Sequence, residues 1–489
     1  MKAQEKIKIR FKPLLCYLGT FALLFLVSCQ DRSNETPETG LEARRDTPNV
    51  IIIFADDLGY GDLSNYGHPT IRTTHLDQMA MEGQKWTNFY VGASVCTPSR
   101  AALLTGRLPV RSGMASPVNR VLFPDSHHGL PSAEVTLAEQ LKKAGYTTAC
   151  IGKWHLGHKE AYLPTRHGFD SYFGIPYSND MDNLVLAQSK GNYFNFWKSE
   201  ERKDIQTFNV PLMRDTEIIE RPADQRTITK RYTQEALKII NEKKEEPFFI
   251  YLAHNLPHVP LFVSEDFEGG SPRGIYGDVV EEIDHSVGQI LNELKRTGLD
   301  KNTIVVFTSD NGPWLIMGEE GGSAGLLRNG KGSTWEGGMR EPCIIWGPGR
   351  VKPGIVTDLG STMDLFTTFS SIAGMDMPED RIIDGVDLSP VWFNHEAGER
   401  KEMFYYRGDQ LYAVRVGDYK AHFITQEPYG GDMMAKDTLL LYNLSIDPSE
   451  KYDVSNENPE VLAKIRQVVK HHNDKMVKGP DMLKDRGKG

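Results

Sequence analysis

An α/β domain built on a large, mostly parallel sheet is what this sequence predicts, and three observations predict it. Four short apolar runs, at residues 49–55 (NVIIIFA), 147–152 (TTACIG), 247–253 (PFFIYLA) and 303–309 (TIVVFTS), are rich in β-branched or aromatic residues and lack clean alternation. Strands covered on both faces read this way. Helical patterns separate the runs, and strands alternating with helices favour parallel pairing. Polar residues collect just beyond the carboxyl ends of the runs: Asp56 and Asp57, Lys153 and His155, His254 and His258, Asp310 and Asn311. In open α/β sheets ligands bind beyond those ends. One Asp after a strand is commonly an N-cap or turn residue; four polar strand ends together predict one shared site.

The chain has 489 residues, enough for a large core and more than one domain. Lys2, Lys6, Lys8, Arg10 and Lys12 precede an apolar run from Leu14 to Val27, and Leu26-Val27-Ser28-Cys29 resembles a bacterial lipobox. Residues 1–28 are therefore expected to be a lipoprotein signal peptide, removed before a lipid-modified Cys29. The alternative is a plain secretory signal with a coincidental cysteine. Residues 29–46 are polar and read as a flexible tether. The α/β pattern runs over 47–390. Within it, Thr136 to Glu139 has the form of a capping box and Gly145 sits where that helix would stop. Val280, Ile283, Val287, Ile290, Leu291 and Leu294 recur on one helical face. Over 391–489 the pattern changes. Short strands at 403–406, 411–416, 420–424 and 439–444, then Leu462, Ile465, Val468 and Val469 at helical spacing, predict a small antiparallel sheet with a terminal helix.

Charged residues make up 25% and hydrophobic ones 39%, an ordinary globular composition, and the formal net charge is −10. An acidic chain of this kind is not expected to bind nucleic acid, and a polyanionic substrate must be held by a local basic pocket and a metal. Of the five cysteines, Cys16 leaves with the signal. Cys150 and Cys343 lie in strand-like runs and read as buried thiols, with a disulfide between them left open.

Asp56, Asp57, Asp310 and Asn311 offer only oxygen ligands, which suits calcium or magnesium rather than zinc. Calcium fits better, because magnesium keeps several waters. Arg100, Lys153, His155, His258 and Lys331 are suited to neutralising a tetrahedral oxyanion and its leaving group. Lys331 lies in GLLRNGKGSTWE (325–336), close to a phosphate-binding G-x-x-x-x-G-K-[ST] loop. Gly332 takes the place of the metal-binding hydroxyl and no clear strand precedes it, so the nucleotide-binding match is false.

Residues 96–107 read CTPSRAALLTGR. This resembles the signature of the formylglycine-dependent sulfatases, C-x-P-S-R followed by L-L-T-G-R. GKWHLG (152–157), GIPYSND (174–180), the PHVP setting of His258, SDNGP (309–313) and GKGSTWEGGMREP (330–342) are similar to arylsulfatase A-type sequences, in matching order over about 47–390. The resemblance implies an alkaline-phosphatase-like fold and a Cys96 oxidised by a maturating enzyme to formylglycine. It also implies a calcium site of Asp56, Asp57, Asp310, Asn311 and the modified Cys96. Arg100 would hold the formylglycine; Lys153, Ser178, His258 and Lys331 would contact the sulfate; His155 would hydrogen-bond a diol hydroxyl and act as base; His258 would be the general acid. The Val-Pro after His258 aligns it, rather than His254, with the family position.

The expected protein is thus a sulfatase anchored by lipid in a bacterial envelope, acting on sulfated carbohydrate, with galactose or N-acetylgalactosamine sulfates first. The rivals are a phosphomonoesterase or phosphonate hydrolase on the same fold, and an inert glycan-capturing lipoprotein. Cys96 argues against the phosphatase, and the complete ligand set against the inert protein.

Overall fold

The structure, a computed structural model, describes residues 47–189 and 193–487. The signal peptide, Cys16, Cys29 and the tether lie outside the described residues. Among those described, no helix is long and apolar enough to cross a membrane.

Ten strands form the main sheet: β1 (Asn49–Ala55), β2 (Gln84–Tyr90), β3 (Thr147–Gly152), β4 (Ser171–Gly174), β5 (Leu212–Arg214), β6 (Glu217–Glu220), β7 (Phe248–Ala253), β8 (Thr303–Ser309), β9 (Arg340–Trp346) and β10 (Gly354–Ser361). Their order is β10-β2-β9-β8-β1-β7-β3-β4-β5-β6. The four runs read from the sequence are the contiguous block β8-β1-β7-β3, all parallel, with Ile52 opposite Tyr251 on one side and Val306 on the other. Antiparallel strands β9, β5 and β6 flank the parallel centre.

The missing alternation in β1 has a direct cause. Ile51 and Ile53 pack into one core and Val50, Ile52 and Phe54 into another, all fully buried. Helices α1 (Thr74–Glu82), α4 (Ile228–Glu242) and α5 (Ile275–Thr297) cover the first face; α2 (Cys96–Thr105), α3 (Leu137–Lys143) and α6 (Thr362–Ile372) cover the second. Truncating one such residue, as in Ile52→Ala, costs roughly 2–5 kcal/mol. The capping box of α3 is present in full: Glu139 N–H donates to Thr136 Oγ1, and Thr136 N–H donates to the Glu139 carboxylate. The face of α5 read from the sequence is buried along its length.

Cys150 on β3 and Cys343 on β9 are free and buried. Three strands, β8, β1 and β7, separate theirs in the sheet. At about 4.8 Å per strand that is far beyond the reach of a disulfide, which resolves the alternative left open by the sequence.

The second sheet is the consecutive antiparallel set β11 (Glu402–Arg407), β12 (Gln410–Val416), β13 (Tyr419–Thr425) and β14 (Met434–Asn443). Helix α7 (Pro459–Asp474) buries Leu462 and Ile465 against Val414, Ala421 and Leu441 of that sheet. β14 starts earlier than the apolar run at 439–444 indicates, because after Met434 its first residues, Ala435 to Thr438, are small or polar and carry no alternating signal.

Candidate active site

The adjacent ends of β8, β1, β7 and β3 bring the sequence-predicted residues together. Asp56, Asp57, Cys96 and Asp310 each present a ligand atom, and the four atoms lie within 4.8 Å of one another. Cys96 reaches them as the first residue of α2, capped by the extended Val95. The helix therefore starts at the cysteine itself, and its free N–H groups favour negative charge there. Asp57 (φ +62) and His155 (φ +57) adopt left-handed backbone conformations. Non-glycine residues there cost about 1–3 kcal/mol, a strain that clusters at functional sites. Gly152 at the end of β3 is obligatory: a Cβ would sit 1.9 Å from the carbonyl oxygen of Ala253.

Three cations thread the carboxylates. Arg100 donates to Asp310 Oδ2 from Nε (3.1 Å) and Nη2 (2.8 Å), and from Nη1 to the Lys153 carbonyl (2.8 Å). Lys153 Nζ donates to Asp56 Oδ2 (2.5 Å) and Ser178 Oγ (3.1 Å). Lys331 Nζ donates to Asp57 Oδ2 (2.8 Å) and sits 4.4 Å from the Trp314 ring centre. Asn311 donates from Nδ2 to Asp57 Oδ1 (2.7 Å), while its buried Oδ1 has no hydrogen-bond partner.

Burial pushes the Asp57 carboxyl up, and Lys331 only partly offsets this, leaving it at about 6. Burial and the Asp56 charge hold Asp310 at about 7 against Arg100. Asp56 is the exception. Burial raises it, but Lys153, His258, Arg100 and Lys331 together bring it well below the carboxylate range. Three buried carboxylates, two of them resisting ionisation, and an unpartnered amide oxygen fit a hard cation bound by oxygen.

The two histidines differ in what they leave free. His155 Nε2 meets the Leu122 carbonyl at 2.8 Å, so it carries the proton, and the buried Nδ1 is left as an unpartnered acceptor. Burial and Lys153 hold this imidazole neutral. His258 Nδ1 meets the Val259 carbonyl at 2.5 Å, and Nε2 lies 3.6 Å from Asp57 Oδ2. Burial and Lys331 lower its proton affinity too. His254 stands apart: buried against the Tyr232 ring, with Nε2 unpartnered, it is held at about 4 by burial.

Above this floor opens a cavity of about 580 Å³. Cys96, His155, Ser178, His258 and Lys331 line it, and so do Arg120, Phe123, Asp180, Trp314 and Tyr429, which the sequence reading did not single out. Trp314 directly follows the SDNGP stretch, so its position was the available signal. Arg120 and Tyr429 lie on irregular loops without motif or period, and nothing in the sequence marks them.

Residues 48–375 match the Sulfatase family, and residues 398–488 match the C-terminal region of aryl-sulfatase. The chain belongs to the sulfatase family, and it is a sulfuric ester hydrolase. It is 41% identical to the N-acetylgalactosamine-6-sulfatase of Rattus norvegicus over 479 residues, covering 89% of this chain and 87% of that protein. It is 41% identical to the arylsulfatase A of Homo sapiens over 448 residues, covering 86% and 87%. Among solved structures, the PsFucS1 sulfatase from Pseudoalteromonas superposes with a TM-score of 0.79 at 28% identity, covering 91% of this chain and 93% of that one.

Proposed function

We propose that this chain hydrolyses sulfate monoesters on glycans, first among them galactose or N-acetylgalactosamine sulfates, using a formylglycine made from Cys96 and a bound calcium ion. The observation that carries the reading is that the signature cysteine sits within 4.8 Å of Asp56, Asp57 and Asp310 ligand atoms. Lys153 and Lys331 stand beside it on those same carboxylates. The relatives' names supply the sugar. In this reading the Cys96 Sγ stands where a formylglycine oxygen would be, and Asn311 Oδ1 joins the three carboxylates as a ligand. The cation would supply Lewis-acid neutralisation of the ester's charge, and the formylglycine hydrate the nucleophile.

The chain's own residues do the rest. Lys153, Ser178 and Lys331 bind the sulfate oxygens and offset charge that grows in the transition state. Arg100, locked by Asp310 and the Lys153 carbonyl, orients the start of α2. His155 Nδ1 is an acceptor with no competing donor, so it can take a proton from the residue at 96. His258 donates a proton to the departing sugar oxygen. It is neutral in the free protein, and an anionic ester seated between it and Lys331 offsets the lysine charge and favours the imidazolium. Burial beneath the cavity excludes water from Lys153, Arg100 and the carboxylates.

Assaying matched sulfate and phosphate esters side by side tests the reading, followed by galactose, N-acetylgalactosamine, glucosamine and fucose sulfates varied by position. Turnover of phosphate esters in preference to sulfate esters would overturn it. We further propose that Cys29 carries lipid and places the enzyme in a bacterial envelope. Cys29→Ser should move the protein from the membrane to the soluble fraction, and equal partition of both forms would refute this.

A further inference from the structure

The cavity wall carries a guanidinium that makes no ion pair among the described residues, although Asp180 and Asp182 line the same cavity. Arg120 is exposed, and no carboxylate among the described residues lies within ion-pair distance of it. Its head is nevertheless fixed in place. It stacks over Tyr429, 4.9 Å from the ring centre. Tyr429 in turn packs on Trp314, 5.9 Å between ring centres. The turn that presents Tyr429 is held by Arg407, which donates to the carbonyls of Glu427 (2.9 Å) and Pro428 (3.1 Å).

The backbone also makes room for Arg120. A Cβ on Gly332 would come within 3.0 Å of Arg120 Nη1, and the positive φ of Gly332 (+82°) disfavours any side chain there. Gly332 is the residue that breaks the nucleotide-loop pattern. It follows Lys331 directly and donates its N–H to the Ser94 carbonyl at 2.8 Å, two residues before Cys96. Thus the position where a nucleotide loop would carry a hydroxyl gives space to a cation beside the reacting centre. Arg486 lines the same cavity, but it is committed to Asp125 at 2.8 Å. Arg120 is the cation without such a commitment.

We infer that Arg120 binds a second anionic group of the substrate, a carboxylate or a second sulfate on the same or the adjoining sugar, while the scissile sulfate lies between Cys96 and Lys331. This rests on the glycan sulfatase reading and narrows it to polyanionic glycans. Guanidinium recognises both anions through paired N–H donors. Stacking on Tyr429 reduces the entropy lost on binding, and the absence of a carboxylate partner means no ion pair has to be broken first.

The test compares kcat/KM for wild type and Arg120→Gln on three substrates: an aryl sulfate, a monosulfated neutral sugar, and that sugar bearing either a second sulfate or an adjoining uronate. Wild type should prefer the doubly anionic sugars, and the preference should shrink as salt rises from about 50 to 500 mM. Arg120→Gln should lower the ratio of doubly to singly anionic turnover by about 10-fold, with Arg120→Lys recovering part of it. The arm that responds more, second sulfate or uronate, identifies the source of the anion. An equal loss on singly and doubly anionic sugars, an unchanged ratio, or a wild type that prefers the singly charged sugar would overturn the role of Arg120 and leave the glycan reading intact. Hydrolysis of the aryl sulfate with refusal of every sugar would overturn both.

Discussion

Two of the clusters of buried charge among the described residues are built to opposite ends. The first is the site at Cys96. The second lies where the 330–336 loop meets β13. There Lys420 Nζ reaches Glu336 Oε1 (2.9 Å) and Glu450 Oε1 (3.1 Å) and donates to the Thr334 carbonyl (2.8 Å). Tyr90 and Tyr405 donate to Glu336, His422 Nε2 lies 2.7 Å from Glu450 Oε1, and the Glu336 N–H donates to Glu450 Oε2. Every carboxylate oxygen in this second cluster has a partner. Burial raises Glu336, but Lys420, Arg340 and Arg415 outweigh it and hold the carboxyl at about 2. At the site, by contrast, Asp57 and Asp310 are held up and Asn311 Oδ1 and His155 Nδ1 are unpartnered. Buried polar groups are normally satisfied, and here the orphans converge on the cavity floor beside carboxyls that resist ionisation, which together point to an outside group. In one cluster every carboxylate oxygen is satisfied from within the chain, although His422 Nδ1 and Arg340 Nη1 have no hydrogen-bond partner, and the cluster fastens the loop bearing Lys331 to the second sheet; in the other the carboxylates themselves call for a cation.

The sharpest test of that contrast is Cys96→Ala. It should lower kcat/KM by about 10⁴-fold or more, as removal of a nucleophile does, while thermal stability stays at or above that of the wild type. Mass spectrometry of the 96–107 peptide from active wild type should show the aldehyde form. Full activity from protein carrying only unmodified cysteine would end the assignment.

His258→Ala follows in size. Loss of a general acid costs about 10²–10⁴-fold. The loss should fall on sugar sulfates, whose alkoxide leaves poorly, far more than on a nitrophenyl sulfate, whose phenolate leaves without a proton. Matched losses on the two would reduce His258 to a binding residue.

Lys420→Met probes the cluster at Glu336 and Glu450. It strands Glu336 and Glu450 together, and breaking a buried pair in this way costs about 3–5 kcal/mol, read as a drop in the midpoint of chemical denaturation. A variant that kept its stability but lost activity would make this cluster part of the site and dissolve the contrast.

The site was far more legible in the sequence than the clamp behind it, for physical reasons. The four central strands are buried on both faces, so their composition is unambiguous, and parallel strands deliver their carboxyl ends to one edge. Hence Asp56, Lys153, His258 and Asp310 could be placed together without coordinates. β2 was not singled out, because it mixes Gln84, Lys85, Thr87 and Asn88 among its aromatics, and β9 was read only as a strand-like run around Cys343, because it opens on Arg340 and Glu341. Glu336 and Lys420 lie 84 residues apart, at the start of the short helix Glu336–Met339 and on a strand, each an ordinary charge in its own neighbourhood. Only the docking of the second sheet makes them a pair, and no local pattern encodes that docking. Arg120 is hidden for the same reason: its neighbours Gly332 and Tyr429 come from distant loops.

Asp57 and Asp310 of the site should also answer pH with the opposite sign to Glu336, the smallest of these effects, while Asp56 follows Glu336. A carboxyl held below its unfolded value stabilises the fold above that value, and the gain is lost as pH falls through the folded one. Glu336, at about 2 against an unfolded value near 4.5, should therefore give up a few kcal/mol as pH drops from about 4.5 to 2. Asp57 and Asp310, raised to about 6 and 7, bind protons in the folded chain that the unfolded chain has released. Chelator-treated protein should accordingly lose stability as pH rises from about 4 to 7. Calcium should restore it, most strongly at the upper end, because ligation requires the carboxylates ionised. Denaturation midpoints from pH 2 to 8, with and without calcium, read both arms. Glu336→Gln should reduce the acid arm, leaving the part that Asp56 contributes, and leave the calcium-sensitive arm in place. A calcium-sensitive arm that vanished with Glu336→Gln would show that the two clusters titrate as one.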